Sequence, residues 1–250
     1  MTNVVNFPGL GLSFTLNRVA FTLFGNNIYW YGIIIAVGFL LAVLFCCRIS
    51  YRFGITNESI IDMLFFAVPL SVIGARVYYV IFYLDLYLDP DGSFNWGKAI
   101  ATRDGGLAIY GGIIMAIVTV AVFCRVRKIN TLAFLDVGSF GMIIGQCVGR
   151  WGNFVNVEAY GSVTDLPWRM SAESIANTLQ NQGALESDLA YQSILNGVLG
   201  VHPTFLYESL WNAAGLVLLY IIARKWRKVD GQIFLSYLVW YGVGRAFIEG

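Results

Sequence analysis

Charge is scarce in this chain. Only 12% of its 250 residues are Asp, Glu, Lys or Arg, about half of the roughly 25% usual in a soluble domain. That shortage excludes a soluble globular enzyme, a disordered chain and a nucleic-acid binder with a basic surface. His202 is the single histidine, so no site built from several imidazoles can form. The four cysteines make no C-x-x-C pair, which removes the usual zinc and dithiol motifs. Cys46, Cys47, Cys124 and Cys147 sit in or beside apolar runs and read as small buried hydrophobes. No G-x-S-x-G run is present, so a serine hydrolase lacks support.

What is abundant is the apolar side chain, at 58% of residues. A hydrocarbon layer about 30 Å thick takes roughly 20 apolar residues of helix. Six stretches reach or approach that length: 28–47, 59–83, 105–124, 131–149, 204–223 and 231–250. They are continuous rather than alternating, which excludes a membrane β-barrel. The expected fold is therefore an all-α integral membrane protein, a bundle of at least six transmembrane helices in one domain over 1–250. The first run follows an extended-looking segment with Pro8 and several glycines, with no basic stretch before it, and reads as a span rather than a cleavable leader. The chain reaches Gly250 still inside an apolar run, from which the sequence is expected to be incomplete at its carboxyl end.

The sixteen basic residues are balanced by fifteen acidic ones, but they are not spread evenly. Nine lie in the short connections after the first, third and fifth spans: Arg48 and Arg52; Arg125, Arg127 and Lys128; Arg224, Lys225, Arg227 and Lys228. Cytoplasmic loops collect Lys and Arg, so the amino terminus is expected outside, with the loops at 84–104 and 150–203. The latter is the long polar region and is expected to form a small extracytoplasmic head. Within it, 171–182 before Gly183 and 186–196 before Gly197 read as short helices with glycine stops.

Ionisable residues inside a span are expensive and usually paired or functional. Arg76, Asp136, Arg150, Glu208, Arg245 and Glu249 are of this kind. With the orientation above, all except Asp136 fall towards the outer boundary, where Tyr31 and Tyr110 open their spans. Tyr241, Arg245 and Glu249 recur every four residues and form one helical stripe. Gly141, Gly145 and Gly149 do the same and predict a close helix approach. His202-Pro203 reads as the start of the fifth span. The run Gly149 to Gly161 (GRWGNFVNVEAYG) reads as a helix end passing into a glycine-punctuated loop that carries Arg150, Asn153, Asn156 and Glu158. Such a loop offers amides and a fixed guanidinium to an anion. Arginines at headgroup depth suggest a lipid phosphate, which fits either a phospholipid-using enzyme or a phospholipid-binding transporter or scaffold. Transporters tend to place their site at the midplane between repeated halves. Here the polar layer is displaced outward and no internal repeat is visible, so the enzyme is favoured.

The same residues resemble a known family. GRWGNFVNVEAYG is similar to the signature G-R-x-G-N-F-x-N-x-E-x-x-G of the bacterial phosphatidylglycerol–prolipoprotein diacylglyceryl transferases. Trp30-Tyr31-Gly32, Gly74-Ala75-Arg76, Tyr110-Gly111-Gly112, His202-Pro203 through Glu208, and Tyr241 through Glu249 match in the family's order. The resemblance implies seven transmembrane helices in the bacterial inner membrane and no metal or organic cofactor. It implies transfer of the diacylglyceryl group of phosphatidylglycerol to the lipobox cysteine of a preprolipoprotein, giving a thioether and glycerol phosphate. The partners implied are that lipid, that lipobox peptide and the membrane, not a nucleic acid.

By position, Tyr31, Arg150, Asn153, Glu158, Gly161, Arg245 and Glu249 match residues important in the family, and Tyr241 is a further candidate. Catalytic work is expected of Arg150, Arg245, Tyr31, Tyr110, Glu158 and Glu249, the two arginines on the phosphate and the two glutamates fixing guanidiniums. Substrate binding is expected of Asn153, Asn156, Gly161, Arg76, Tyr241, His202 and Glu208. Two departures stand out. Tyr110 replaces a histidine common in the family, and a phenol with a pKa of about 10 is a poor base at neutral pH. The family also continues past the last motif into an Arg-x-Asp stretch and one more helix.

Overall fold

The computed structural model describes residues 2–102, 105–185 and 187–248. The chain opens with four strands, β1 (Thr2–Phe7), β2 (Leu12–Asn17), β3 (Val19–Leu23) and β4 (Asn26–Tyr29), and then becomes helical. Helices α1 (Trp30–Ile49), α2 (Asn57–Phe82), α3 (Trp96–Ile100), α4 (Ile109–Arg127) and α5 (Thr131–Asn156) follow. After them come β5 (Val163–Thr164), α6 (Glu173–Asn181), α7 (Asp188–Leu195), β6 (Gly200–Val201), α8 (Thr204–Ile221) and α9 (Gln232–Ile248). Among the described residues five helices are long and apolar enough to cross a membrane: Trp30–Phe53, Asn57–Phe82, Ile109–Arg127, Thr131–Asn156 and Thr204–Trp226. The protein is thus a helical, multi-pass membrane protein. α9 has 17 described residues and falls just short of that set.

The strands are additions to the all-helical expectation. β1 pairs antiparallel with β2, and β3 with β4, whose turn is Phe24-Gly25, both at positive φ. Two successive positive-φ residues make the turn whose twist suits a hairpin. β5 and β6 form a third, two-residue pairing.

The chain divides into two compact units, Met1–Phe45 with Gly138–Gly250, and Cys46–Val137. In the first, β1, the end of α5, α6, α7, β6 and the start of α8 enclose an apolar cluster that includes Val5, Phe7, Val157, Ile175, Ile194 and Phe205. α6 and α7 lie where the polar loop was expected to be helical, each followed by a glycine at positive φ, Gly183 and Gly197.

In the second unit α2 packs along α4, and the Ala108 N–H donates to the Ala75 carbonyl at 3.0 Å. The segment between them is ordered by its own polar groups. Asn95 Nδ2 donates to Asp89 and Asn95 Oδ1 accepts from the Lys98 N–H, capping α3. The Asn95 amide, with Lys98 beside it, holds the half-buried Asp89 carboxyl below its ordinary range. The thiols of Cys46 and Cys124 are buried, those of Cys47 and Cys147 partly so, and among the described residues none of the four forms a disulfide.

Candidate active site

The polar run at 149–161 is mostly helix. α5 continues through Asn156, so Arg150, Asn153 and Asn156 follow one another at three-residue spacing and sweep about 120° around the helix, from Glu208 of α8 to the cavity that Tyr31 lines. This corrects the loop expected from Gly149 onward. Of the two helix-weakening glycines there, only Gly152 is required by close packing against α1; a β-carbon on Gly149 would make an ordinary contact. A β-carbon on Gly152 would sit 2.8 Å from Tyr31 Cδ2, and one on Gly149 would sit 3.5 Å from Ile35 Cδ1. Gly145 has nothing within 4 Å, so the close approach does not follow the spacing of Gly141, Gly145 and Gly149.

The helix stops at Val157, which is left-handed at φ 54°. Its N–H donates to the Phe154 carbonyl at 3.1 Å, and the Glu158 N–H donates to the Asn153 carbonyl at 3.0 Å. These are the paired bonds of a Schellman stop, where glycine is usual. A β-branched residue is strained there, and Ala159 at φ 51° repeats the strain, at about 1–3 kcal/mol each. The surroundings enforce both. Val157 is buried in the apolar cluster, the Thr204 hydroxyl donates to the Ala159 carbonyl, and the Gly161 N–H donates to the His202 carbonyl at 3.0 Å. Gly161 packs so closely that a β-carbon would lie 2.9 Å from that of His202. Glu158, between the strained pair, accepts from Asn156 Nδ2 at 3.1 Å.

Arg150 forms an ion pair with Glu208 of α8, their side chains 20% and 8% exposed. A carboxylate this buried fixes the guanidinium's place, because moving it away would strand a charge out of water. The next turn of the α5–α8 contact is polar too. Trp151 Nε1 donates to Ser209 Oγ at 3.0 Å, and Ser209 Oγ donates to the Cys147 carbonyl at 3.0 Å. Three residues after Glu208, Trp211 stacks on Trp240 of α9 at 4.2 Å. Glu208 and Trp211 share a side of α8, so the helix that holds Arg150's partner also holds α9.

On α9, Tyr237 Oη accepts from Gln146 Nε2 at 2.8 Å, and the Tyr237 and Tyr241 rings stack at 6.0 Å. Gly244 is buried against Trp211, and Arg245 follows it on an exposed position. Glu249 lies outside the described residues.

Tyr31 lines a cavity of about 790 Å³ together with Asn156, Tyr29, Gly32, Asn27 and Arg18. Arg18 was not among the residues expected here, because in the sequence it is a lone cation ahead of the first span with no motif around it. His202 is engaged within its own neighbourhood. Its Nδ1 lies 3.1 Å from the Tyr207 hydroxyl, which also accepts from Trp168 Nε1 at 2.6 Å. α8 begins at Thr204, so Pro203 stands just before the helix rather than at its first position.

Arg76 and Tyr110 belong to the second unit. Arg76 is buried, and its guanidinium donates five hydrogen bonds to main-chain carbonyls. Nε reaches Ala99 at 2.8 Å, Nη1 reaches Gly105 and Gly106 at 2.9 and 2.7 Å, and Nη2 reaches Lys98 and Ala101 at 2.7 and 2.6 Å. A guanidinium has five N–H bonds, so none remains for a phosphate. These bonds make Arg76 the organiser of this loop. Tyr110 is exposed near the start of α4, 6.5 Å from the Tyr78 ring. Among the described residues no group of three His, Cys, Asp or Glu is placed to hold a metal ion.

A family model for Prolipoprotein diacylglyceryl transferase matches residues 18–250. The phosphatidylglycerol–prolipoprotein diacylglyceryl transferase of Finegoldia magna is 40% identical over 235 residues, covering 94% of this chain and 83% of that protein. The protein of the same name from Oceanobacillus iheyensis is 40% identical over 239 residues, covering 94% and 77%. That from Clostridioides difficile is 37% identical over 235 residues, covering 94% and 83%.

Proposed function

The chain belongs to the prolipoprotein diacylglyceryl transferase family, and from that membership we propose how its own residues carry out the transfer. The enzyme moves the diacylglyceryl group of phosphatidylglycerol onto the lipobox cysteine thiol of a prolipoprotein, forming a thioether and releasing glycerol phosphate. It lies in the cytoplasmic membrane with its amino terminus outside, α9 as a sixth crossing, and 150–203 as a small outer head. The basic connections after the first, third and fifth spans support this orientation.

The thiol of the substrate cysteine, with an ordinary pKa of about 8.5, reacts as thiolate. Its sulfur attacks the glycerol carbon bonded to the phosphodiester oxygen. A carbon–sulfur bond forms, the carbon–oxygen bond breaks, and the electron pair leaves on glycerol phosphate. The leaving group therefore gains negative charge, and cationic donors aimed at it lower the barrier. Each well-aimed donor is worth about 100- to 1000-fold in rate. Arg150 and Arg245 supply that stabilisation. Glu208 holds Arg150, while the Trp211–Trp240 contact fixes the helix that carries Arg245. Asn153, Asn156 and Glu158 orient the headgroup, and Tyr31 and Tyr241 offer hydroxyls to the phosphate or the thiol. Tyr110, Gly161 and Glu249 complete the set by position in the family's motifs. Lipid and peptide meet in one orientation, which contributes independently of charge.

The observation that carries this reading is the Arg150–Glu208 pair on the helix that ends in the strained Val157–Ala159 turn. Strain of this kind gathers at functional sites. The test is incubation of the membrane-embedded protein with phosphatidylglycerol and a lipobox peptide. The expected result is a mass increase of one diacylglyceryl unit on the peptide cysteine; an unmodified peptide with lipid translocated across the vesicle would favour a transporter.

A further inference from the structure

Arg18 is the bend residue between β2 and β3, and its conformation is set locally. Asn17 Oδ1 accepts from the Val19 N–H at 3.0 Å, and the Arg18 carbonyl accepts from the Trp30 N–H at 3.0 Å. The side chain therefore projects from a backbone tied directly to the start of α1. One of its guanidinium nitrogens, Nη2, donates to the Asn156 carbonyl at 2.6 Å. Asn156 is the last residue of α5, where free carbonyls give the helix end a partial negative charge. That single bond caps the helix, and among the described residues the remaining donors have no partner. Among the described residues Arg18 has no carboxylate in ion-pair range; its Nε is buried without any acceptor, and its Nη1, not buried, makes no bond and is the donor open to a ligand. A buried donor with no partner is unfavourable, and a guanidinium with free N–H groups is suited to paired phosphate oxygens. The side chain lines the 790 Å³ cavity shared with Tyr31 and Asn156.

We propose that Arg18 is a further headgroup-binding residue, holding the anionic phosphodiester of the lipid substrate in the cavity between the start of α1 and the end of α5. This rests on the transferase reading above and adds a contact outside the motifs that carry it. Because Arg18 engages the phosphodiester in the bound substrate as well as in the transition state, its removal weakens lipid binding more than it slows the chemical step.

The test is steady-state transfer to a lipobox peptide with phosphatidylglycerol varied in mixed micelles, comparing the wild type with Arg18→Gln and Arg18→Lys. Glutamine keeps an amide donor for the Asn156 carbonyl and removes the charge. The expected result for Arg18→Gln is a KM for phosphatidylglycerol raised about tenfold, with kcat within about threefold of wild type and the melting midpoint unchanged. Arg18→Lys restores charge without the fork and is expected to recover part of that loss. An unchanged KM in either folded variant overturns the proposal, as does a fall in kcat alone. Should Arg18→Gln fail to fold, the KM of Arg18→Lys decides: a rise of about threefold supports the proposal, and the wild-type value overturns it. A wild-type protein that leaves the peptide unmodified would instead sink the transferase reading, so the two failures are distinct.

Discussion

Trp211 and Trp240 lie face to face, 4.2 Å apart with planes 18° from parallel, and each donates its indole N–H to the other's main-chain carbonyl at 3.1 Å. Each ring also covers a glycine four residues along the opposite partner's sequence, Trp240 over Gly215 and Trp211 over Gly244. The two W-x-x-x-G runs thus lock α8 to α9 reciprocally, and Arg245 is the residue after the second glycine. A β-carbon on Gly244 would sit 2.6 Å from Trp211 Cδ1. Gly244→Ala is therefore expected to lower stability by about 1–3 kcal/mol through overpacking, and to reduce transfer by displacing Arg245. Thermal unfolding and the peptide mass shift check both. Gly145→Ala, at a helical position with nothing within 4 Å, should instead leave stability equal or raise it by about 0.5–1 kcal/mol.

Glu208→Gln tests whether the carboxylate fixes Arg150. Removing one partner of a buried pair strands the other, typically at about 3–5 kcal/mol. The expected outcome is a lowered melting midpoint together with a loss of kcat larger than any change in KM. A variant with wild-type kcat and a normal midpoint would mean that Glu208 does not govern Arg150.

Arg76→Lys should loosen the loop without weakening the lipid. Lysine has three donors on one atom and cannot satisfy five carbonyls at once. Hydrogen exchange should accelerate at Ala99, Ala101 and Gly105, with the KM for phosphatidylglycerol unchanged. The reverse pattern, intact protection and a raised KM, would return Arg76 to the lipid site.

Backbone strain beside Glu158 can be read by two substitutions of opposite sign. Ala159→Gly relieves a positive φ and is expected to be neutral or stabilising by up to about 1 kcal/mol. Gly161→Ala drives a methyl to 2.9 Å from His202 Cβ and is expected to destabilise and to lower transfer. Chemical unfolding of the two variants in one detergent makes the comparison.

His202→Ala is expected to retain substantial turnover. The histidine ring is engaged by Tyr207, while its main-chain bonds to Gly161 and Ser162 survive the substitution. Complete loss of transfer in a folded variant would identify His202 as the base.

The helices were legible because a continuous apolar run of about 20 residues has few other readings in a membrane protein. The spans expected at 28–47 and 59–83 became Trp30–Ile49 and Asn57–Phe82. The span expected at 105–124 starts instead at Ile109, because Gly105 and Gly106 both have positive φ and accept from Arg76. The fourth helix was read seven residues too short, since glycines at 149 and 152 look like stops, whereas Gly152 is there because Tyr31 packs directly against it. The Schellman stop at Val157 was hidden for the same reason, as the residue in it is not glycine. The amino-terminal strands were legible only as an extended-looking segment with Pro8 and several glycines, without their pairing. Among site residues, Arg150 and Glu208 were singled out separately, but their pairing joins α5 to α8 across 58 residues of chain. The carbonyl cradle of Arg76 was not legible, because a buried arginine looks the same in sequence whether it meets a phosphate or five carbonyls.

The claim on which the mechanism stands is that a guanidinium at position 150 stabilises the departing phosphate. Mass spectrometry of a lipobox peptide incubated with phosphatidylglycerol and membranes bearing Arg150→Lys tests it most directly. The account predicts that the variant inserts and folds yet adds the diacylglyceryl unit at least about 100-fold more slowly than wild type. Transfer at the wild-type rate by that variant would contradict it.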